Sequence, residues 1–235
     1  MESKRLRHVG VIMDGNRRWA ANRNLRPFQG HEEGAKAFEN VSEWCVEEKI
    51  AYLTVYAFST ENWIRTRAEI NHIFDLLIRF FKKDKERCLK ENIRMKIIGE
   101  RTRFSDKVLT AIDDIEKSTK HNTRLNIQIA LSYGGRDEIV RAARKMGEHL
   151  LSGSLRLEDI TESAFENYLD TAGIPDVDLL IRTGGDENRR LSNFLPWQTA
   201  YAELFFSSLL WPAFSKDEFH RAIQYFYQVS SKHGK

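Results

Sequence analysis

The residues best suited to chemistry lie in four short segments rich in glycine, arginine and small polar side chains. These are Asp14-Gly15-Asn16-Arg17-Arg18-Trp19, Ser59-Thr60-Glu61-Asn62-Trp63-Ile64-Arg65, Ser132-Tyr133-Gly134-Gly135-Arg136, and the run from Thr183-Gly184-Gly185 through Asp186–Arg189 to Arg190-Leu191-Ser192. Glycine lets a backbone approach a phosphate closely, and free N–H groups at a helix start attract anions. Arginine presents a planar fork that matches phosphate oxygens. A carboxylate such as Asp14 can hold Mg²⁺, which binds phosphate oxygens as well. The set fits a substrate with one or two diphosphates. Each brings about three negative charges, enough to call for several arginines and a divalent ion.

These segments share a place in the chain. Each follows a short apolar run that reads as a buried strand: His8–Met13, Ala51–Phe58, Leu125–Leu131 and Asp178–Arg182. Ile93–Gly99 and Ala202–Phe206 read as two further strands. Helical patterns lie between them, over Ala35–Glu48, Ala68–Leu89, Asp106–Ser118, from near Arg136, and over Lys216–Gln228. Strand–helix alternation predicts an α/β fold with a central, mostly parallel six-stranded sheet flanked by helices. Such sheets bind ligands beyond the carboxyl ends of their strands, where the polar segments fall. No linker, repeat or low-complexity tract divides the chain, so residues 1–235 are expected to form one domain.

Composition narrows the function. With 235 residues, 41% hydrophobic and 30% charged, the chain is long enough for a sizeable core and is not a disordered type. A net charge of +3 gives no nucleic-acid footprint. Cys45 and Cys88 form no CxxC pair or zinc spacing, so a reduced, cytoplasmic setting is expected. No apolar run reaches membrane-spanning length, and the charged start has no signal-peptide pattern. GxGxxG after the first strand, GxxxxGK[ST], GxSxG and HExxH are all missing. The chain therefore has phosphate-binding logic without a nucleotide signature.

The pattern over Ala68–Leu89 adds a second clue. Ile70, Ile73, Phe74, Leu76, Leu77, Ile78, Phe80 and Phe81 cover more than one narrow stripe, so this helix must be buried on several sides. One reading is core plus a subunit interface. The other is the wall of an apolar tunnel beside the anionic site, as a diphosphate with a hydrocarbon tail would need.

His8–Ala20, Gly30–Ala35, Leu53–Arg65, Leu131–Val140, Asp178–Gly185 and Arg190–Phe206 together resemble the signature blocks of the cis-prenyltransferases, most closely the bacterial undecaprenyl diphosphate synthases. The resemblance runs from about His8 to the last helix. It implies condensation of isopentenyl diphosphate with an allylic diphosphate such as farnesyl diphosphate, making a Z-polyprenyl diphosphate lipid carrier. It also implies Mg²⁺ as cofactor, a homodimer, and a tail growing down a hydrophobic tunnel. Membrane contact would be peripheral, through the product.

By the same resemblance, Asp14 is the aspartate that positions Mg²⁺, and Gly15, Asn16, Arg17 and Arg18 cradle the allylic diphosphate, with Trp19 and His31 lining that pocket. Ser59, Thr60 and Glu61 form the next substrate-contacting loop. Asn62 matches a residue taken as proton acceptor, though a neutral amide is a poor base and could only orient the acceptor; substrate diphosphate is the alternative. Trp63 packs beside it, and Arg65 is a second diphosphate arginine. Arg182, Arg190, Leu191 and Ser192 match the isopentenyl diphosphate site, and Glu203 the second Mg²⁺-associated carboxylate. Tyr133, Gly134 and Gly135 are read as turn chemistry only. Trp44, Trp197 and Trp211 are expected in the core, and Lys82–Arg87 and Glu100–Arg103 on solvated faces.

The chain departs from the family pattern in three places. Pro27 stands where many relatives carry an arginine, leaving Arg26 as the nearby substitute. The Asp186–Arg189 stretch makes its loop two residues longer. Lys232 stands near a position where relatives place an arginine reaching the partner subunit. For tail length, small Ala57 leaves the tunnel mouth open, while Leu125 and Leu131 could limit its depth. Two rivals remain: a short-chain Z-prenyl diphosphate synthase, and a non-catalytic subunit of a hetero-oligomeric synthase. Asp14, Asn62, Arg182, Arg190 and Glu203 argue against the latter, because a scaffold has no need of them.

Overall fold

The computed structural model describes residues 5–185 and 189–230; Asp186–Asn188 of the longer loop and Lys232 lie outside them. Strands β1 (His8–Ile12), β2 (Tyr52–Ser59), β3 (Ile93–Ile98), β4 (Leu125–Tyr133), β5 (Leu179–Arg182) and β6 (Glu203–Phe206) form one sheet in the order β3-β4-β2-β1-β5-β6. Every pairing is parallel. β1, β4 and β5 are almost wholly buried because helices cover both faces, as parallel sheets require.

Between the strands run α1 (Asn16–Ala21), α2 (Pro27–Glu47), α3 (Arg67–Lys90), α4 (Asp106–Thr119), α5 (Gly135–Leu151), α6 (Glu162–Glu166) and, after β6, α7 (Lys216–Ser230). The larger core lies under α2, α3, α4 and α7, against Val9, Val11, Leu53, Val55, Ile127 and Ile129. A smaller core on the other face gathers Ile12, Ala130, Tyr133, Leu180 and Phe194. That face also buries a polar chain across three strands. His8 contacts Thr54 Oγ1 at 2.8 Å, and Thr54 contacts Gln128 Oε1 at 2.8 Å.

Chain order makes the site. β1 and β5 are neighbours, yet the chain leaves β1 toward β2 on one side and leaves β5 toward β6 on the other. Diverging connections open a crevice at the carboxyl ends of these two strands, the place where open α/β sheets bind ligands.

Two expectations need correction. The second helix starts at Pro27 rather than Ala35, with Pro in the first turn, where its missing N–H is harmless. Gly30 and Gly34 weaken helix propensity, which hid this turn in the sequence. They are needed for close packing: a Cβ on Gly30 would sit 2.1 Å from the Asn16 carbonyl oxygen. Within Lys82–Arg87, Asp84 is buried and accepts two bonds from Arg87, at 2.8 and 2.7 Å, so the run is not wholly a solvated face. Trp211 is fully buried as expected, but it also lines the apolar cavity described below.

Candidate active site

β1 ends at Ile12, and Asp14 stands two residues beyond it in the crevice. Its backbone is fixed first. The Asp14 carbonyl accepts bonds from Thr183 Oγ1 at 2.8 Å and from the Trp211 amide at 3.0 Å. The carboxylate then takes an arginine on each oxygen: Arg18 Nη2 at 3.2 Å on Oδ1, and Arg182 Nη2 at 3.0 Å on Oδ2. Gly184 folds over this pair with φ 110°, and a Cβ there would lie within 2.9 Å of the Asp14 side chain. Only glycine fits both that left-handed backbone and that approach.

Arg182 is nearly fully buried, and its other nitrogen, Nη1, donates to the Arg190 carbonyl and to Ser192 Oγ. One guanidinium thus ties the loop after β1 to the loop after β5. The second loop turns sharply, with positive φ at Ser192 and Asn193 (49° and 64°), and is pinned by the buried Phe194 and Leu195. Leu191 packs against that smaller core, while the Arg190 side chain is exposed.

A cleft of about 490 Å³ opens beside Asp14, lined by Gly15, Asn16, Arg17, Arg18, His31 and Arg65 together with Met13, Ala21 and Pro27. Arg65 donates to Glu69 at 3.0 Å. His31 Nε2 lies 3.8 Å from the same Glu69 oxygen and is buried without a hydrogen bond. Burial, and next the nearby Arg65 cation, pull the His31 pKa down to about 4, so the ring is neutral at pH 7. An anion entering here meets Arg17, Arg18 and Arg65.

Met13, Asn16 and His31 also line a second cavity, of about 100 Å³. Its walls are apolar: Phe38 of α2, Ile73, Leu76, Leu77 and Phe80 of α3, Ala57 of β2, and Ile129 and Leu131 of β4. The anionic and greasy compartments therefore adjoin. Leu131 lines the cavity as expected; Leu125 does not, because it lies at the far end of β4 beside Ile93.

The remaining expected site residues divide. Of Ser59, Thr60 and Glu61, none lines the cleft; Glu61 reaches the loop after β5, its Oε1 accepting a bond from Asn193 Nδ2 at 3.3 Å, and Thr60 donates to Glu61 Oε2 at 3.2 Å. Asn62 is turned back onto its own loop, its oxygen accepting the Ser59 amide at 3.1 Å. Trp63 leaves the cleft: it stacks on Phe74 at 5.7 Å and donates to Ser132 Oγ at 2.8 Å. Trp19 lies under Arg23 at 4.2 Å, and Arg26 covers Phe28 at 4.3 Å; neither Trp19 nor Arg26 lines the cleft.

Glu203 is not brought to Asp14 within this chain. It pairs with Leu179, three residues before the Arg182–Phe206 pair, and so lies about 10 Å down the sheet. Among the described residues no three His, Cys, Asp or Glu side chains form a metal cluster. One carboxylate in a phosphate-sized cleft is nonetheless a fitting donor set for Mg²⁺, which usually takes one or two carboxylates and completes its shell with substrate phosphates and water. Glu69 and Asn193 were missed in the sequence. The Arg65–Glu69 spacing of four was the available signal for the first; for the second there was none.

The chain matches, over residues 12–234, the family described as "Putative undecaprenyl diphosphate synthase". It is 43% identical over 230 residues to an isoprenyl transferase of Helicobacter hepaticus, covering 97% of this chain and 96% of that protein. Among solved structures, it superposes on lavandulyl diphosphate synthase from Lavandula x intermedia, in complex with dimethylallyl diphosphate, with TM-score 0.90 and 32% identity over 94% of both chains. A probable undecaprenyl diphosphate synthase from Campylobacter jejuni gives TM-score 0.78 and 40% identity over 95% of both. A match of this length, joined to a crevice that gathers arginines around Asp14 and opens onto an apolar cavity, places the chain in the undecaprenyl diphosphate synthase family of prenyl transferases.

Proposed function

We propose that this prenyl transferase condenses isopentenyl diphosphate with an allylic diphosphate, farnesyl diphosphate being the starter the family resemblance implies, to build a Z-polyprenyl diphosphate. The observation that carries the reading is the shared wall of Met13, Asn16 and His31 between the arginine-lined cleft and the apolar cavity. A diphosphate head and a hydrocarbon tail on one molecule need these two environments side by side.

The chain's own residues account for the chemistry. Arg17, Arg18 and Arg65 hold the allylic diphosphate, and stabilise it as the C–O bond breaks and negative charge collects on the leaving group. Arg190 and Ser192, on the loop that Arg182 ties to Asp14, hold the second diphosphate, so that its double bond faces the allylic carbon. Attack forms the new C–C bond, and loss of one proton completes the product. Asn62, committed to the Ser59 amide, orients the loop, and the departing diphosphate is the better proton acceptor. Asp14 and diphosphate oxygens would hold Mg²⁺, which supplies charge neutralisation when bound. A second copy of the chain would cover the open edge of β6, where Tyr201 is 88% exposed.

A short-chain synthase is the second reading, favoured by the cavity itself. At about 100 Å³ it is well below the roughly 300–1,000 Å³ of ordinary ligand pockets. A long tail requires α2 and α3 to separate around it. Incubation of the full chain with farnesyl and isopentenyl diphosphates and Mg²⁺, with products resolved by chain length, tests both. Long Z-products support the first reading, a single condensation the second, and no product at all removes both.

A further inference from the structure

The rim of the diphosphate cleft carries charge and apolar surface that the reaction leaves unused. From Gly15 to His31 the chain holds Arg17, Arg18, Arg23 and Arg26 and no acidic residue. Arg17 and Arg18 line the cleft, whereas Arg23 and Arg26 are exposed outside it on the turn between α1 and α2. Between those two, Leu25 is 36% exposed. On the opposite bank, Ile64 is 93% exposed and is followed by Arg65 and the exposed Arg67. The two banks belong to one rim: Ala21, Pro27 and Arg65 line the same cleft, and Phe28 packs against His72 of α3 at 5.1 Å.

Acidic residues offset Arg18, through Asp14 at 3.2 Å, and Arg65, but among the described residues none is ion-paired with Arg23, Arg26 or Arg67. Glu69 is engaged by Arg65, Glu33 by Lys36 at 2.7 Å, and Glu32 by Arg79 at 3.8 Å, leaving Glu61 beside Asn193. The rim thus presents the exposed Ile64 and the partly exposed Leu25, each with exposed arginines close by in the chain.

We propose that this rim docks the protein on a bilayer bearing anionic headgroups. Ile64 and Leu25 would enter the headgroup layer, with Arg23, Arg26 and Arg67 on lipid phosphates. Each signal is weak alone, and reversible interfacial binding needs apolar contact and basic charge together. A lipid surface suits the rim better than single-stranded nucleic acid. The Trp19 and Phe28 rings, which could stack on bases, are already covered by Arg23 and Arg26, while the uncovered residues are aliphatic. The proposal rests on rim geometry, and draws its purpose from the proposed reading, in which an amphiphilic product leaves from this opening.

The test is partition of the full chain onto phosphatidylcholine vesicles with and without phosphatidylglycerol. The expected result is binding to the anionic vesicles at low salt, release as salt is raised, and little binding to neutral ones. The combined substitution Ile64→Ser, Arg23→Gln, Arg67→Gln, none of them a cleft-lining residue, lowers that partition on the order of tenfold or more, with Tm and condensation rate on soluble substrates unchanged. Arg144→Gln with Lys145→Gln, on α5, leaves it unchanged. Equal loss from the α5 pair, wild-type partition by the rim variant, or preference of the wild type for a single-stranded oligonucleotide would each overturn the proposal. Vesicle binding by a chain that condenses no substrate would refute the prenyl transfer reading and leave the docking surface standing.

Discussion

The side-chain oxygen of Asn62 lies 3.1 Å from the Ser59 amide and accepts its hydrogen, closing the turn that follows β2. An oxygen spent in this way shapes the loop that carries Thr60, Glu61 and Arg65. Asn62→Ala is expected to lower turnover on the order of a hundredfold through misplacement of that loop, and to cost about 1 kcal/mol of stability. Asn62→Asp keeps the acceptor and should retain most of both. Steady-state kinetics beside urea unfolding checks this; a fully active Ala variant would refute it.

Asp14→Asn leaves an acceptor for the buried Arg182 while removing the charge. The protein should fold normally, and turnover should fall by about two to three orders of magnitude. Asp14→Ala strips Arg182 of its partner carboxylate and should add a stability loss, since truncating one side of a buried pair is costly. Comparing Tm and rate for the two variants separates charge from packing.

Product length should follow the cavity walls. Ala57→Leu narrows the apolar cavity and is expected to shorten products, whereas Phe80→Ala enlarges it and should lengthen them. Leu125→Ala, at a fully buried position away from the cavity, should leave chain length unchanged and cost about 2–5 kcal/mol. Mass spectrometry of the products decides, and longer products from Leu125→Ala would restore that residue as a tunnel floor.

Acid should destabilise the fold through His8. Burial lowers its pKa from 6.5 to about 4, partly opposed by its contact with the Pro175 carbonyl. The unfolded chain therefore binds a proton more readily than the folded one. The stabilisation is complete above about pH 6.5 and is lost as pH falls toward 4, amounting to about 3 kcal/mol. His31 acts with the same sign over the same window. Urea midpoints across this range should drop for the wild type and drop less for a His8→Gln variant.

Much of this fold was legible because apolar strands and helical periods alternate so regularly. Each strand that supplies a site loop was found within a residue or two. The glycine-rich start of α2 was not, because local propensity argues against a helix there and only the close approach of Asn16 requires one. The place of Arg182 at a strand end singled it out for anion binding. Its bond to Asp14 was invisible, since it depends on β1 and β5 becoming neighbours. Trp63, which the resemblance sets beside Asn62, packs its ring among Phe58, Phe74 and Phe104, because a large ring follows the nearest apolar surroundings.

The bond between Asp14 and Arg182 joins residues 168 positions apart. Translation at about 5–20 residues per second delivers the aspartate many seconds before its partner. Until then the amino-terminal strands can associate, but the half-built crevice lacks its far bank. A chain that stops before β5 therefore lacks the Arg182 half of the crevice around Asp14.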